Sequence, residues 1–289
     1  MIGRNAIATL TCALLCMVAT NVHTQQPIPE NDKYNPARYP DWSGPMRFTA
    51  TGGNRYDQTK RPGRAQEAPL TPEYRAIFES GLKDQAAGGQ GGNQTYSCTP
   101  GGMPREMAGN QGLEFVVTPK VTHVIFVQAM PRRIYTDGRD WPTDVEPTFD
   151  GYSIGKWVDE DGDGRYDVLE VETRNFMGPR SFDNAGTPLH ADNQTVIKER
   201  IYRDKQNADI LHDEMTTIDN ALTRPWTVLK SYRREPATRP VWTESVCAES
   251  NNHVQIGKEN YMLSADGLLM PARKNQAPPD LRYFQQNQR

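Results

Sequence analysis

The stretch "DEDGDGRYDVLE", residues 159–170, sets carboxylates at the spacing of a calcium-binding loop. Asp159, Asp161 and Asp163 stand at loop positions 1, 3 and 5, Gly164 at the sharp-turn position 6, Asp167 at 9 and Glu170 at 12. An EF-hand needs a helix on each side, yet the flanks "YSIGKW" and "VLEVET" have the composition of strands. In a strand Glu170 points across the sheet with Val168 and Glu172, away from an ion held by the loop. Two readings stand: a non-EF calcium site formed by Asp159, Asp161, Asp163 and Asp167, or a solvated hairpin tip whose DG dipeptides supply positive φ. Either one stiffens the chain and does no catalysis.

Acid-base chemistry has other candidates. In "TVIKERIYR", Glu199 lies in phase with Ile197 and Ile201, so a strand that buries the isoleucines buries a carboxylate that needs a partner. "AMPRRIYTDGR" gathers Arg132, Arg133, Tyr135, Asp137 and Arg139 at the end of a strand. Arg132 and Asp137 are candidates for holding an acidic or carbonyl-bearing ligand, and Tyr135 and Arg139, with Glu199, for moving its protons. His190, in the loop "NAGTPLHADNQT" before the Glu199 strand, is the best placed histidine for acid-base work. The structural alternatives are an ion-paired barrel corner for the arginines and Asp137 and an ordinary exposed side chain for His190. No H-E-x-x-H, paired-cysteine, G-x-S-x-G, phosphate-loop or dinucleotide fingerprint occurs. Zinc hydrolases, common-fold serine hydrolases, NTPases and nicotinamide enzymes are therefore disfavoured, and no organic cofactor is expected.

The elements that must position these residues begin after a leader. "MIGRNAIATLTCALLCMVATNVHT", residues 1–24, has one positive charge and an apolar run of about 14 residues, a secretory signal peptide too short to span a bilayer. The product is expected in the periplasm or secreted. Without that leader, 32 basic residues face 36 acidic ones with no basic tract, so neither nucleic acid nor membrane insertion is expected. Cys98 and Cys247 then remain, and an oxidising compartment favours a disulfide between them over two buried thiols. It would close a loop of about 150 residues, contributing on the order of 5 kcal/mol.

Residues 25–95 read as a Pro- and Gly-rich arm followed by a helix over 71–87, with Thr71 as N-cap and Tyr74, Ile77, Phe78 and Leu82 as its apolar stripe. From Leu113 the period changes to two. "LEFVVTP", "THVIFVQA", "RRIYTDG", "YDVLEVET", "TVIKERIYR", "ILHDEMTTID" and "WTVLKSYRR" are short strand-like runs separated by turn residues. They predict an all-β domain over 96–252, an antiparallel meander closing into a lipocalin-like barrel. The tail, 253–289, suggests a short helix in "ENYMLSADGLLMPARK".

Taken in order, "GGMPREM", "RRIYTDGRDWPTDVEPTFDGYSIGKW", "VLEVET", "KERIYR" and "IDNALTRPWTVLKSYRR" resemble a group of exported bacterial proteins of unassigned function. The resemblance spans about residues 96–252 and implies export but no activity. Phe149 stands where the group has Trp, and the acidic loop lengthens a turn that is short in the group.

The sequence thus predicts an exported barrel that binds a small, partly apolar ligand between aromatic walls such as Trp157 and Trp226. One alternative is a cofactor-independent lyase, isomerase or hydrolase using the same pocket; another is a structural or interaction protein of the envelope. The enzyme reading requires His190, Glu199 and Tyr135 to meet in one concavity.

Overall fold

The computed structural model describes residues 29–48, 68–108, 112–127, 129–236, 253–256, 259–264 and 268–279. Cys247 and the leader lie outside them. Among the described residues, nine strands close into a barrel in chain order: β1 (Pro45–Phe48), β2 (Leu113–Val117), β3 (Val121–Phe126), β4 (Arg132–Tyr135), β5 (Tyr152–Val158), β6 (Val168–Arg174), β7 (Val196–Arg203), β8 (Ile210–Ile218) and β9 (Trp226–Arg234). Alternation along each strand decides what faces inward. On β7 the buried residues are Ile197, Glu199 and Ile201; on β8 Leu211, Asp213, Met215 and Thr217; on β9 Trp226, Val228, Lys230 and Tyr232, with Ser231 buried out of phase. Phe115, Val124, Ile134, Leu169 and Val171 supply further apolar wall. Gly155 faces the same interior, where a Cβ would come within 2.7 Å of Ile134 Cγ2, so the close approach of β4 requires glycine.

Both barrel ends are closed. At one end the arm brings Tyr39 and Trp42 onto Trp157, with ring centroids 5.6 and 4.9 Å away, and Tyr166 lies 4.9 Å from Tyr39. At the other, residues 101–108 enter the barrel and bury Met103 and Met107 completely. Gly102 makes the entry turn at φ +62°, where a Cβ would lie 2.3 Å from the Phe149 carbonyl oxygen. Helix α1 (Pro72–Ala86) sits at this end, with the Thr71 hydroxyl accepting from Tyr74 N at 3.4 Å and Pro72 at its first position. Leu70, just before the helix, bridges to Leu222 of the loop between β8 and β9.

The all-β barrel, the arm and the single helix agree with the sequence, and four details differ. The meander is broken once: β4 and β5 pair in parallel, Ile134 opposite Ser153. A parallel neighbour needs a return connection, and residues 136–151 provide it without a helix. The arm is part of the barrel, because β1 closes it between β2 and β9. The tail is sheet instead of helix: β10 (His253–Ile256), β11 (Glu259–Leu263) and β12 (Leu269–Pro271) form a small antiparallel sheet. On α1, Phe78 is buried while Ile77 is half exposed, so the stripe is narrower than expected. No helix among the described residues is long and apolar enough to cross a membrane.

Candidate functional site

The barrel interior holds an unusual number of charges. Arg132 enters from β4 and makes a two-pronged ion pair with Glu199: Nη1 donates to Oε1 at 2.8 Å and Nη2 to Oε2. Its Nη2 also donates to Thr173 Oγ1 at 2.9 Å and its Nε to Ser153 Oγ at 3.2 Å. The Ser153 and Thr173 hydroxyls bond each other at 2.9 Å. Four of the five guanidinium N–H groups are thereby engaged, and the pair ties β4 to β7.

One strand further on, the pattern changes. Asp213 on β8 stands opposite Lys230 on β9 in the antiparallel register. Both are fully buried, and neither Asp213 oxygen meets a hydrogen-bond donor. Lys230 Nζ donates to the Pro104 carbonyl at 3.1 Å and lies 3.5 Å from Met215 Sδ and 5.3 Å from the centre of the Phe182 ring. Burial, and next the Glu199 charge, push the Asp213 carboxyl well above its ordinary range; burial lowers the Lys230 amine to about 8. Tyr232, two residues along β9, donates to the Met107 carbonyl, and burial raises its phenol well above 10. Arg180 Nη1 donates to the Met103 carbonyl at 3.0 Å. Three side-chain donors thus take carbonyls of the inserted segment, those of Met103, Pro104 and Met107.

A second carboxyl pair borders this interior. Glu106, on the inserted segment, neighbours Asp150, before β5; burial, then the Asp150 charge, raises Glu106 to about 8. Asp150 is raised as well, chiefly by burial. Glu106 Oε2 and Asp150 Oδ1 have no donor partner, so one proton between the two groups satisfies both.

The residues expected to form one catalytic set are not brought together. Glu199 and Arg132 are inside the barrel, whereas Tyr135 is on the outer phase of β4, its ring stacked on Tyr152 at 5.1 Å with the Arg139 guanidinium 3.8 Å above it. Arg139 is exposed and pairs with Asp137 at 2.7 Å, which holds that carboxyl below its usual range. This is the ion-paired corner weighed as the structural alternative. Arg132 parts from Asp137 and Arg139 because period-two alternation sends residues 132 and 134 inward. His190 lies at the helix end, its ring 5.4 Å from that of Tyr74, its Nδ1 accepting from Asp192 N at 3.1 Å and lying 3.2 Å from the Asp192 carboxylate. Asp219 caps the same region, accepting from His190 N and Ala221 N at 2.9 and 2.8 Å. Trp157 belongs to the aromatic end cap, and Trp226 packs on Phe182 at 4.5 Å, so both are core.

In the acidic loop, oxygens of Asp159, Asp161 and Asp167 lie within 4.8 Å of one another, and Asp163 is not among them. Asp159 accepts from the N–H groups of Gly162 and Gly164 at 2.8 and 2.9 Å, while Asp163 Oδ1 accepts from Arg165 N at 2.8 Å. Glu170 is exposed on the outer face of β6, opposite Lys156 and Arg200. Cys98, in the left-handed conformation at φ 54°, is disulfide-bonded, and its expected partner Cys247 is outside the described residues. A cleft of about 330 Å³ lies outside the barrel between α1 and the C-terminal sheet; Arg273 within it already pairs with Asp84 and Glu259, and it contains none of the expected site residues.

Asp213, Lys230, Tyr232, Glu106 and Asp150 were not picked out from the sequence. For the first two the signal was present: Asp213 is in phase with Leu211 and Met215, and Lys230 with Val228 and Tyr232, as Glu199 is with its isoleucines. Fold and site together define a closed β-barrel with charged side chains buried in its interior. Comparison with family models, curated proteins and solved structures finds no match.

Proposed function

We propose that this chain is an exported barrel that holds a small, partly apolar molecule, with the ligand's polar end at Asp213 and Lys230. The observation that carries the reading is the pair of Asp213 oxygens, completely buried without a donor in an interior where the neighbouring carboxylate, Glu199, is held by Arg132. A buried carboxyl left unbonded costs on the order of 1–3 kcal/mol, and a ligand donor removes that cost. Ile201, Leu211, Met215, Val228 and Phe182 offer apolar wall beside it. Binding on this reading displaces or reshapes the inserted segment 101–108.

Export rests on the leader sequence and on a disulfide at Cys98, for which Cys247 is the proposed partner. At the hairpin tip, Asp159, Asp161 and Asp167 are the residues that would hold a structural calcium ion, an all-oxygen donor set of the right type. A structural envelope role is the second reading, and the observation favouring it is that residues 101–108 and the strand side chains occupy the interior.

The test is a titration of small-molecule extract from the periplasm into unfolded, stripped and refolded protein, following tryptophan fluorescence, since Trp157 and Trp226 line the interior. The binding reading expects a saturable change in wild type that Asp213→Asn weakens at least about tenfold. No change with any fraction of the extract favours the envelope role.

A further inference from the structure

The buried charges sort by whether their bonding capacity is used. Arg132 and Glu199 spend theirs on each other and on Ser153 and Thr173. Asp213 and Lys230 do not: the carboxyl accepts nothing, and the amine holds one backbone carbonyl and a thioether sulfur, which is a weak acceptor. Among the described residues no carboxylate oxygen stands within ion-pairing distance of Lys230 Nζ, although Asp213 is directly across the strand pair.

An ionised pair held apart in a dry interior carries both desolvation penalties with little Coulomb return. Burial acts on the two groups in opposite directions, raising the acid and lowering the amine. Both shifts are toward the neutral forms, so an amine lowered to about 8 has a reactive neutral fraction near pH 7 across from a carboxyl raised well above its ordinary range. Those are a nucleophile and a general acid on adjacent strands. Met215 and Phe182 approach Nζ, and Ile201 stands opposite Asp213, all three buried. The Pro104 carbonyl oxygen, 3.1 Å from Nζ, marks a place where a carbonyl group is already accommodated beside the amine.

We propose that Lys230 forms a Schiff base with a small aldehyde or ketone, and that Asp213 carries the protons of that condensation. The Nζ lone pair adds to the carbonyl carbon, forming a C–N bond as the C=O π electrons move onto oxygen. The Asp213 carboxylic acid protonates that oxygen and then takes a proton back from the nitrogen, giving a neutral carbinolamine. A second proton from Asp213 carries the hydroxyl away as water, leaving a protonated C=N bond beside an Asp213 carboxylate. Nothing is oxidised or reduced, and the neutral pair becomes an ion pair that the ligand itself bridges. The carbonyl compound enters where residues 101–108 lift from the barrel. This rests on the reading of the interior as the ligand site, and it specifies the class of ligand and the residue that takes it.

The experiment is reductive trapping on the folded, full-length mature protein near pH 7, with benzaldehyde and, separately, pyruvate as probes and cyanoborohydride as reductant. Peptide mapping then ranks every lysine by its rate of modification. Lys230 is expected to be modified at least about tenfold faster than the exposed lysines Lys156 and Lys198, and Asp213→Asn to slow Lys230 alone by about tenfold or more. Lys230 left unmodified by both probes while Lys156 and Lys198 react overturns the proposal on wild type alone, so it does not depend on the variant folding. An organic molecule retained in the native mass spectrum would then preserve the binding reading, and a bare polypeptide would remove both.

Discussion

Replacing Glu199 with Gln keeps the size and one acceptor but removes the charge that Arg132 faces. Arg132 is 3% exposed and delivers two parallel hydrogen bonds to that carboxylate, one of them 2.8 Å long. Losing one member of such a buried pair strands the other charge and costs about 3–5 kcal/mol. For a domain of roughly 150–250 residues each kcal/mol lowers Tm by about 2–4 °C, so Glu199→Gln should melt about 6–20 °C below wild type. Removing both charges is a different perturbation. Arg132→Met with Glu199→Leu fills the same space with apolar atoms, and Ser153 and Thr173 still bond each other. The double variant should therefore lie within about 2 kcal/mol of wild type or above it. Urea unfolding followed by circular dichroism, applied also to Arg132→Met and Glu199→Leu alone, gives all four corners of the cycle. A cost below about 1 kcal/mol for Glu199→Gln, or single-variant costs that simply add in the double, would refute the view that this pair ties β4 to β7.

Other outcomes follow from the same geometry. Glu106, raised to about 8 from 4.5, keeps its proton in the folded state where the unfolded chain has lost it, so its contribution to stability falls as pH rises between those values. Glu106→Gln should be close to neutral at pH 5 and more stable than wild type by roughly 1–4 kcal/mol at pH 8; equal offsets at both pH values in chemical denaturation would contradict the shared-proton arrangement. Arg139→Ala, on the exposed corner, should change stability by less than about 1 kcal/mol in the same assay, because a surface pair with Asp137 is worth little. If the acidic loop holds calcium, chelator lowers the Tm of wild type but not that of Asp161→Ala; equal responses would leave the loop as a hairpin tip.

Much of the barrel was legible because alternation is a local property. The in-phase isoleucines around Glu199 announced a buried carboxylate, and the structure supplies Arg132 as its partner. The same rule applied to "ILHDEMTTID" and "WTVLKSYRR" would have found Asp213 and Lys230, but register across strands cannot be read from either strand alone. Tyr135 and Arg132 looked like neighbours in sequence and are separated by the sheet, since an odd spacing puts them on opposite faces. The inserted segment was least legible: "GGMPREM" has no periodicity, and its burial depends on carbonyls captured by Arg180, Lys230 and Tyr232, residues more than 70 positions away. The parallel β4 and β5 pair escaped for a related reason, because a long irregular return loop carries no signal of where it lands.

Native mass spectrometry of the protein, purified without chelator and compared with its denatured spectrum, reads directly whether the barrel interior holds a ligand. An interior ligand site predicts an organic mass in the native spectrum that disappears on denaturation or, for an imine, persists after reduction as an adduct on Lys230. A native mass equal to the polypeptide, with or without calcium, in preparations that refold and melt cooperatively would contradict an interior ligand site and leave the barrel as a structural element.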